Sequence, residues 1–333
     1  MFIYGFGVLL LACLFQGSFG ICFKKYQPFS WEAFWALFSI IGVLFIPHMW
    51  AYIEVPNYME YILQTPAHVL FIGALAGFFW GISAIWYSRA IDTIGVSLTS
   101  GINVGASTIL GSLIPMVILK TVPAANVLMV LLTGQAIMLL GVGALTKAGL
   151  MKGSADSAGK GSSSAMKAGI ILALISGLGS ASLNIAYSYT QVPVQNAIAD
   201  GIPAISASLI SWPVVFFGGF LANFFFALSK LIKNKTYNNY FEKGCGIAYA
   251  KVILTSFVWF AALAIYGKAS SMLGPLGPVV GWISFNGIAL VIANSWGLKD
   301  GEWKGYPEAK KVMLIGNGIL ILSFIVLGIA NGM

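Results

Sequence analysis

The chain has 333 residues, of which 59% are hydrophobic and only 8% charged, and its mean hydropathy is +0.89. Soluble domains carry roughly 25% charged residues, so this composition excludes a soluble globule and points to an all-α polytopic membrane protein. The formal charge of +8 comes from 18 basic residues scattered between apolar runs; this is membrane-flanking charge, with no basic and aromatic track for nucleic acid.

Crossing the ~30 Å apolar layer takes about 20 helical residues. Runs of that length predict ten transmembrane helices, near residues 2–23, 31–52, 69–90, 94–119, 125–145, 168–189, 206–228, 247–266, 276–296 and 312–330. Leu10-Leu-Ala-Cys13 resembles a lipoprotein cleavage box, but no Lys or Arg precedes it, so the first span is expected to be retained. Pro203 and Pro213 predict a broken or re-entrant start to the seventh.

Between the fifth and sixth spans, the Gly- and Ser-rich residues 149–164 have the composition of a flexible hydrophilic connector. They divide the chain into a first five-helix repeat at 1–147, a linker at 148–166 and a second five-helix repeat at 167–333. Five crossings reverse the direction of entry, so the repeats are expected to be inverted. The connector and the loops after odd-numbered spans hold sixteen of the basic residues, while the loops after even-numbered spans hold only Lys120 and Lys268. The positive-inside rule then places the connector in the cytoplasm and both termini outside.

The densest internal echo relates residues 80–107 to 259–286 by a shift of 179 positions. Trp80 falls on Trp259, Tyr87 on Tyr266, Arg89 on Lys268 and Gly95 on Gly274. Small residues also recur every fourth position: Gly73, Gly77 and Gly81; Ser97, Gly101 and Gly105; Gly169, Ala173, Gly177 and Ala181. Such ridges let helix backbones approach closely in lipid.

No enzyme constellation is present. His48 and His68 are not at metal-ligand spacing, and Cys13, Cys22 and Cys245 form no CxxC pair and are expected to be buried thiols. Gly159-Lys160-Gly161-Ser162 lacks the first Gly and the final Ser or Thr of a phosphate loop, so no cofactor or metal is expected.

What remains is a set of uncharged polar and aromatic groups at membrane depth. Ser100, Asn103 and Ser107 share a helical face, and Trp282 and Asn286 occupy the shifted positions of Asn103 and Ser107. Trp80 with Tyr87, Trp259 with Tyr266, and the amides Gln16 and Asn184 complete the set. Packing explains any one of them; together they fit a cavity for a neutral polyhydroxylated solute, with amides and hydroxyls replacing its water and rings covering its C–H faces. Glu32, just inside the second span, is the candidate for proton coupling, though an acid in a first helical turn also complements the macrodipole.

The chain resembles the L-rhamnose-proton symporter family of the drug/metabolite transporter superfamily. The resemblance rests on Phe23-Lys24-Lys25, Ser30-Trp31-Glu32-Ala-Phe-Trp35, Gly77-Phe-Phe-Trp80-Gly81 leading to Tyr87 and Gly95-Val-Ser97, Leu145-Thr-Lys-Ala-Gly149 and the ending Gly328-Ile-Ala-Asn-Gly332. It implies ten helices in two inverted halves and uptake of a neutral monosaccharide, L-rhamnose, with a proton across a bacterial inner membrane. Where the family pattern carries an Asp and a His, the stretch 278–286 here reads Pro-Val-Val-Gly-Trp-Ile-Ser-Phe-Asn. That leaves open two alternatives: export of metabolites or drugs by the same fold, and uptake of another sugar without proton coupling.

Overall fold

The computed structural model describes residues 2–22, 25–156 and 163–333. Phe23 and Lys24 of the family motif, residues 157–162 of the connector and the side chain of Ser97 lie outside the described residues. Among those described, the structure is helical throughout and contains no strand. Ten helices are long and apolar enough to cross a membrane, and they are numbered here as spans 1 to 10: Ile3–Cys22, Trp31–Glu54, Ala67–Ile91, Leu98–Ile118, Ala125–Lys152, Met166–Ala199, Ala204–Asn234, Cys245–Met272, Gly274–Lys299 and Pro307–Gly332. Phe71, Met129, Leu140 and Ile253 are exposed on their outer faces, as helices surrounded by lipid require.

The principal contacts form a regular pattern. Span 3 packs on 6 as span 8 packs on 1; 4 on 6 as 9 on 1; 3 on 7 as 8 on 2; and 4 on 5 as 9 on 10. Spans 5 and 10, 4 and 9, and 2 and 7 pair with their own counterparts. Each of these pairings recurs when the span numbers shift by five.

Small residues set the closest crossings. A Cβ on Gly77 would lie 1.9 Å from the Val215 carbonyl oxygen, and one on Gly218 would lie 1.7 Å from that of Ala74, so spans 3 and 7 touch backbone to backbone. Gly95 and Gly274, related by the 179-residue shift, both adopt positive φ (80° and 78°) where one span turns into the next.

Three local features go beyond the hydropathy reading. Span 2 is π-helical over Ser39–Phe45, and such turns favour functional sites. Span 7 has the broken start expected of it, a short helix Ala204–Ala207 and a 3-10 turn Ser208–Ile210 before the helix Ser211–Asn234, with Pro213 in its first turn. Helices also enter the stretch expected as connector from both sides, Ala125–Asp156 and Ser163–Tyr189. The first is steadied there by Lys152, whose ammonium lies 5.3 Å from the Trp303 ring. The thiols differ from expectation: Cys13 is buried, but Cys22 and Cys245 at helix ends are only half-buried.

Candidate functional site

Trp80 and Trp259, related by the 179-residue shift, meet in the packed structure. Each stands near the middle of its span, and their rings stack with centroids 5.7 Å apart at 18°. Phe216 of span 7 closes on both, at 5.6 Å from Trp80 and 5.1 Å from Trp259, and Phe38 of span 2 lies 5.3 Å from Trp259.

Toward the termini face, Asn184 organises four elements. Its amide donates to the carbonyls of Gly111 (2.7 Å) and Pro278 (2.9 Å), and its oxygen accepts from the Tyr266 hydroxyl (2.6 Å). All of this is sequestered, since Asn184 and Tyr266 are 0% exposed. Trp282 stands edge-on to Tyr266 at 5.6 Å and donates its indole N–H to the Ser107 carbonyl at 3.2 Å. It can do so because Gly111 leaves room; a Cβ there would fall 2.4 Å from the indole nitrogen.

Above this cluster a cavity of about 450 Å³ opens on the termini face. That size suits a small-molecule site. Its polar lining comes from Thr121, Tyr187, Gln191, Gln195, Ser208 and the Ser270-Ser271 pair, with Pro278 linking it to Asn184; no charged side chain contributes. The Thr121 hydroxyl is buried without a hydrogen-bond partner, as are the Trp212 indole N–H beside Tyr187 and the Gln16 carbonyl oxygen on span 1. Trp212 stacks on Tyr187 at 4.5 Å. Hydroxyls, amides and ring faces without fixed charge can hold a neutral polar solute; an ion would find no countercharge.

Toward the connector face, polar contacts join span 2 to span 7 and the turn that follows it. Glu32 is 8% exposed and accepts from Asn234 (2.9 Å) and Thr236 (2.8 Å) at the far end of span 7. Trp35 donates to Asn223 at 2.9 Å, and the Tyr240 hydroxyl donates to the Ala33 carbonyl at 3.0 Å. Burial first, then the neighbouring Tyr249 and Glu32, push the Tyr240 phenol up to about 12, so it keeps that proton at any physiological pH. Between spans 3, 4 and 6, Tyr87 and Ser100 share a hydrogen bond of 2.6 Å, and the Asn103 amide donates to Ser176 and, at 3.2 Å, to Ser180.

The structure therefore gathers Asn184, Tyr266, Trp282 and the backbone of Ser107 into one cluster, and Trp80 with Trp259 into a second. Tyr87 and Asn103 sit apart from both, toward the connector face. Asn286 donates to the Trp282 carbonyl of its own helix at 2.9 Å. Gln191, Gln195 and Tyr187 were not among the residues singled out from sequence, although their spacing of four on span 6 places them on one helical face. Hydropathy cuts that span at Tyr189, whereas the helical path continues through Val192–Ala199.

Ten spans around uncharged polar clusters define a multi-pass membrane protein built to admit a solute. The chain belongs to the L-rhamnose-proton symport protein family (RhaT), whose model matches residues 2–333. Proteins of this family are transporters and not enzymes. The chain is 26% identical over 317 residues to the L-rhamnose-proton symporter of Cronobacter sakazakii, covering 92% of this chain and 91% of that one. It is 24% identical over 316 residues to the symporter of Citrobacter koseri (92% and 91% covered) and 24% identical over 319 residues to that of Yersinia pestis (92% of each).

Proposed function

We propose that this protein imports L-rhamnose, a neutral monosaccharide, together with a proton across a bacterial inner membrane by alternating access. The observation that carries this reading is the uncharged cavity over Asn184 and Tyr266, lined by hydroxyls and amides and bordered by aromatic rings. Family membership supplies the sugar and the coupling ion. The pairing of spans, repeated on shifting by five, supports two inverted halves of the drug/metabolite transporter fold rocking against each other, with Gly95 and Gly274 as paired hinges. The positive-inside rule puts the connector face in the cytoplasm, so the cavity faces outward while the contacts around Glu32 hold the inner end closed.

In this scheme Asn184, Tyr266 and Trp282 lie beneath the cavity and become accessible to the sugar as the halves move, Trp80 and Trp259 separate the two sides, and Gln16, Tyr87, Asn103, Ser107 and Asn286 line the path exposed when the inner end opens. Glu32 responds to the proton at that inner end. The test is uptake of radiolabelled L-rhamnose into proteoliposomes under an imposed pH gradient, with a panel of unlabelled competitors. Gradient-driven uptake displaced by rhamnose-like sugars is expected; gradient-independent uptake, or displacement by an unrelated solute, would overturn the reading.

A further inference from the structure

Glu54 and Lys268 form an ion pair near the termini face, each side chain 20% exposed. The pair joins the end of span 2 to span 8, and Trp50 strengthens it by donating its indole N–H to Glu54 at 2.9 Å while stacking on Phe257 of span 8 at 5.9 Å. The short helix Ala204–Ala207 packs against this end of span 2. Its Ala204, together with Ser208 just beyond it, lines the cavity. On the other side, the Ser271 hydroxyl, also in the cavity wall, donates to the Lys268 carbonyl at 2.8 Å. The end of span 2 thus meets the cavity wall in two places, by packing on the short helix and through the Glu54–Lys268 pair.

The charges around it are few. Of the elements packed against this end of span 2, span 8 brings Lys268, and residues 204–218 of span 7 bring no charged or titratable side chain. His48 on span 2 is engaged with Tyr58, at 2.8 Å.

We propose that Glu54 is a positioning residue that makes opening of the outer cavity depend on external pH, an inference that rests on the transport reading above. As the carboxylate it clamps Lys268, and with it the end of span 8, in the open arrangement. Protonation from the outside medium removes the negative charge. Lys268 then lacks a partner in a largely apolar setting, which is costly, and the end of span 8 shifts to bring the ammonium to water. Ser270 and Ser271 move with it and the wall closes. A solute arriving with a proton would thereby favour the occluded form.

The test reads the wall itself. Ser271→Cys is placed in a protein whose Cys13, Cys22 and Cys245 are replaced by Ala, and its reaction with a membrane-impermeant maleimide is normalised at each pH to the unfolded protein. Labelling is expected to fall several-fold on acidification through the carboxylate range, and Glu54→Gln on the same background is expected to label slowly at every pH. A flat profile without the Glu54 change, or an unaltered profile with it, overturns the proposal. If Glu54→Gln proves unfolded, the double change Glu54→Gln with Lys268→Gln, which leaves no unpaired ammonium, is measured instead. It should fold and lose the pH dependence; retained dependence, or failure to fold, overturns the proposal. L-rhamnose exchange by the unmodified protein is measured in parallel, so that failure of the transport reading is seen separately.

Discussion

Asn184 offers the sharpest energetic test, because its three hydrogen bonds tie span 6 to spans 4, 8 and 9 at the floor of the cavity. Hydrogen bonds between membrane helices average about 0.6 kcal/mol and reach about 1.7, so Asn184→Leu should cost roughly 2 to 4 kcal/mol. Tyr266→Phe removes the 2.6 Å bond to Asn184 and the longer one, 3.3 Å, to the Pro278 carbonyl, and should cost about 1 kcal/mol. Because the two side chains share a bond, their effects should overlap by about 1 kcal/mol in a double-mutant cycle read by unfolding in mixed detergent and dodecyl sulfate micelles. Additivity to within about 0.3 kcal/mol would show that the Asn184–Tyr266 bond carries no stability and would refute the account of the floor.

Gly77→Ala should sharply lower the yield of folded protein, since the new methyl meets the Val215 backbone, whereas Gly20→Ala, with open space around it, should be silent; size-exclusion profiles of the two variants decide this. Gln191→Leu, which removes an amide from the cavity wall, should raise KM for L-rhamnose roughly tenfold, about 1.4 kcal/mol, with unchanged expression; an unaltered KM would place the sugar elsewhere. Glu32→Ala should lower the thermal unfolding midpoint by several degrees, at about 2 to 4 °C per kcal/mol, and Glu32→Gln by less, because the amide oxygen can still accept from Asn234 or Thr236. Equal midpoints for the two variants would remove Glu32 from the inner closure.

Hydropathy made the number of spans legible because a lipid-facing helix leaves a long apolar run whatever its partners are. The 179-residue echo was informative for a related reason: Trp80 and Trp259 stack on each other, and Gly95 and Gly274 both adopt positive φ. The cavity was less legible. Its wall is made by Gln191 and Gln195 beyond the apolar part of span 6, and by Ser208, Ser270 and Ser271 at helix ends, where polar residues look like ordinary loop composition. Nor does composition signal the π-helical turn at Ser39–Phe45, which packs against spans 7 and 8. The partners of Glu32 are about 200 positions away in sequence, and only the packing of span 2 on span 7 brings Asn234 and Thr236 to it.

The central claim is that sugar and proton move together, and it is tested most directly by following external pH while L-rhamnose is added to de-energised proteoliposomes. Symport predicts a transient alkalinisation of the medium that scales with the sugar added and disappears with a protonophore. Sugar entry without any change in external pH would contradict the account.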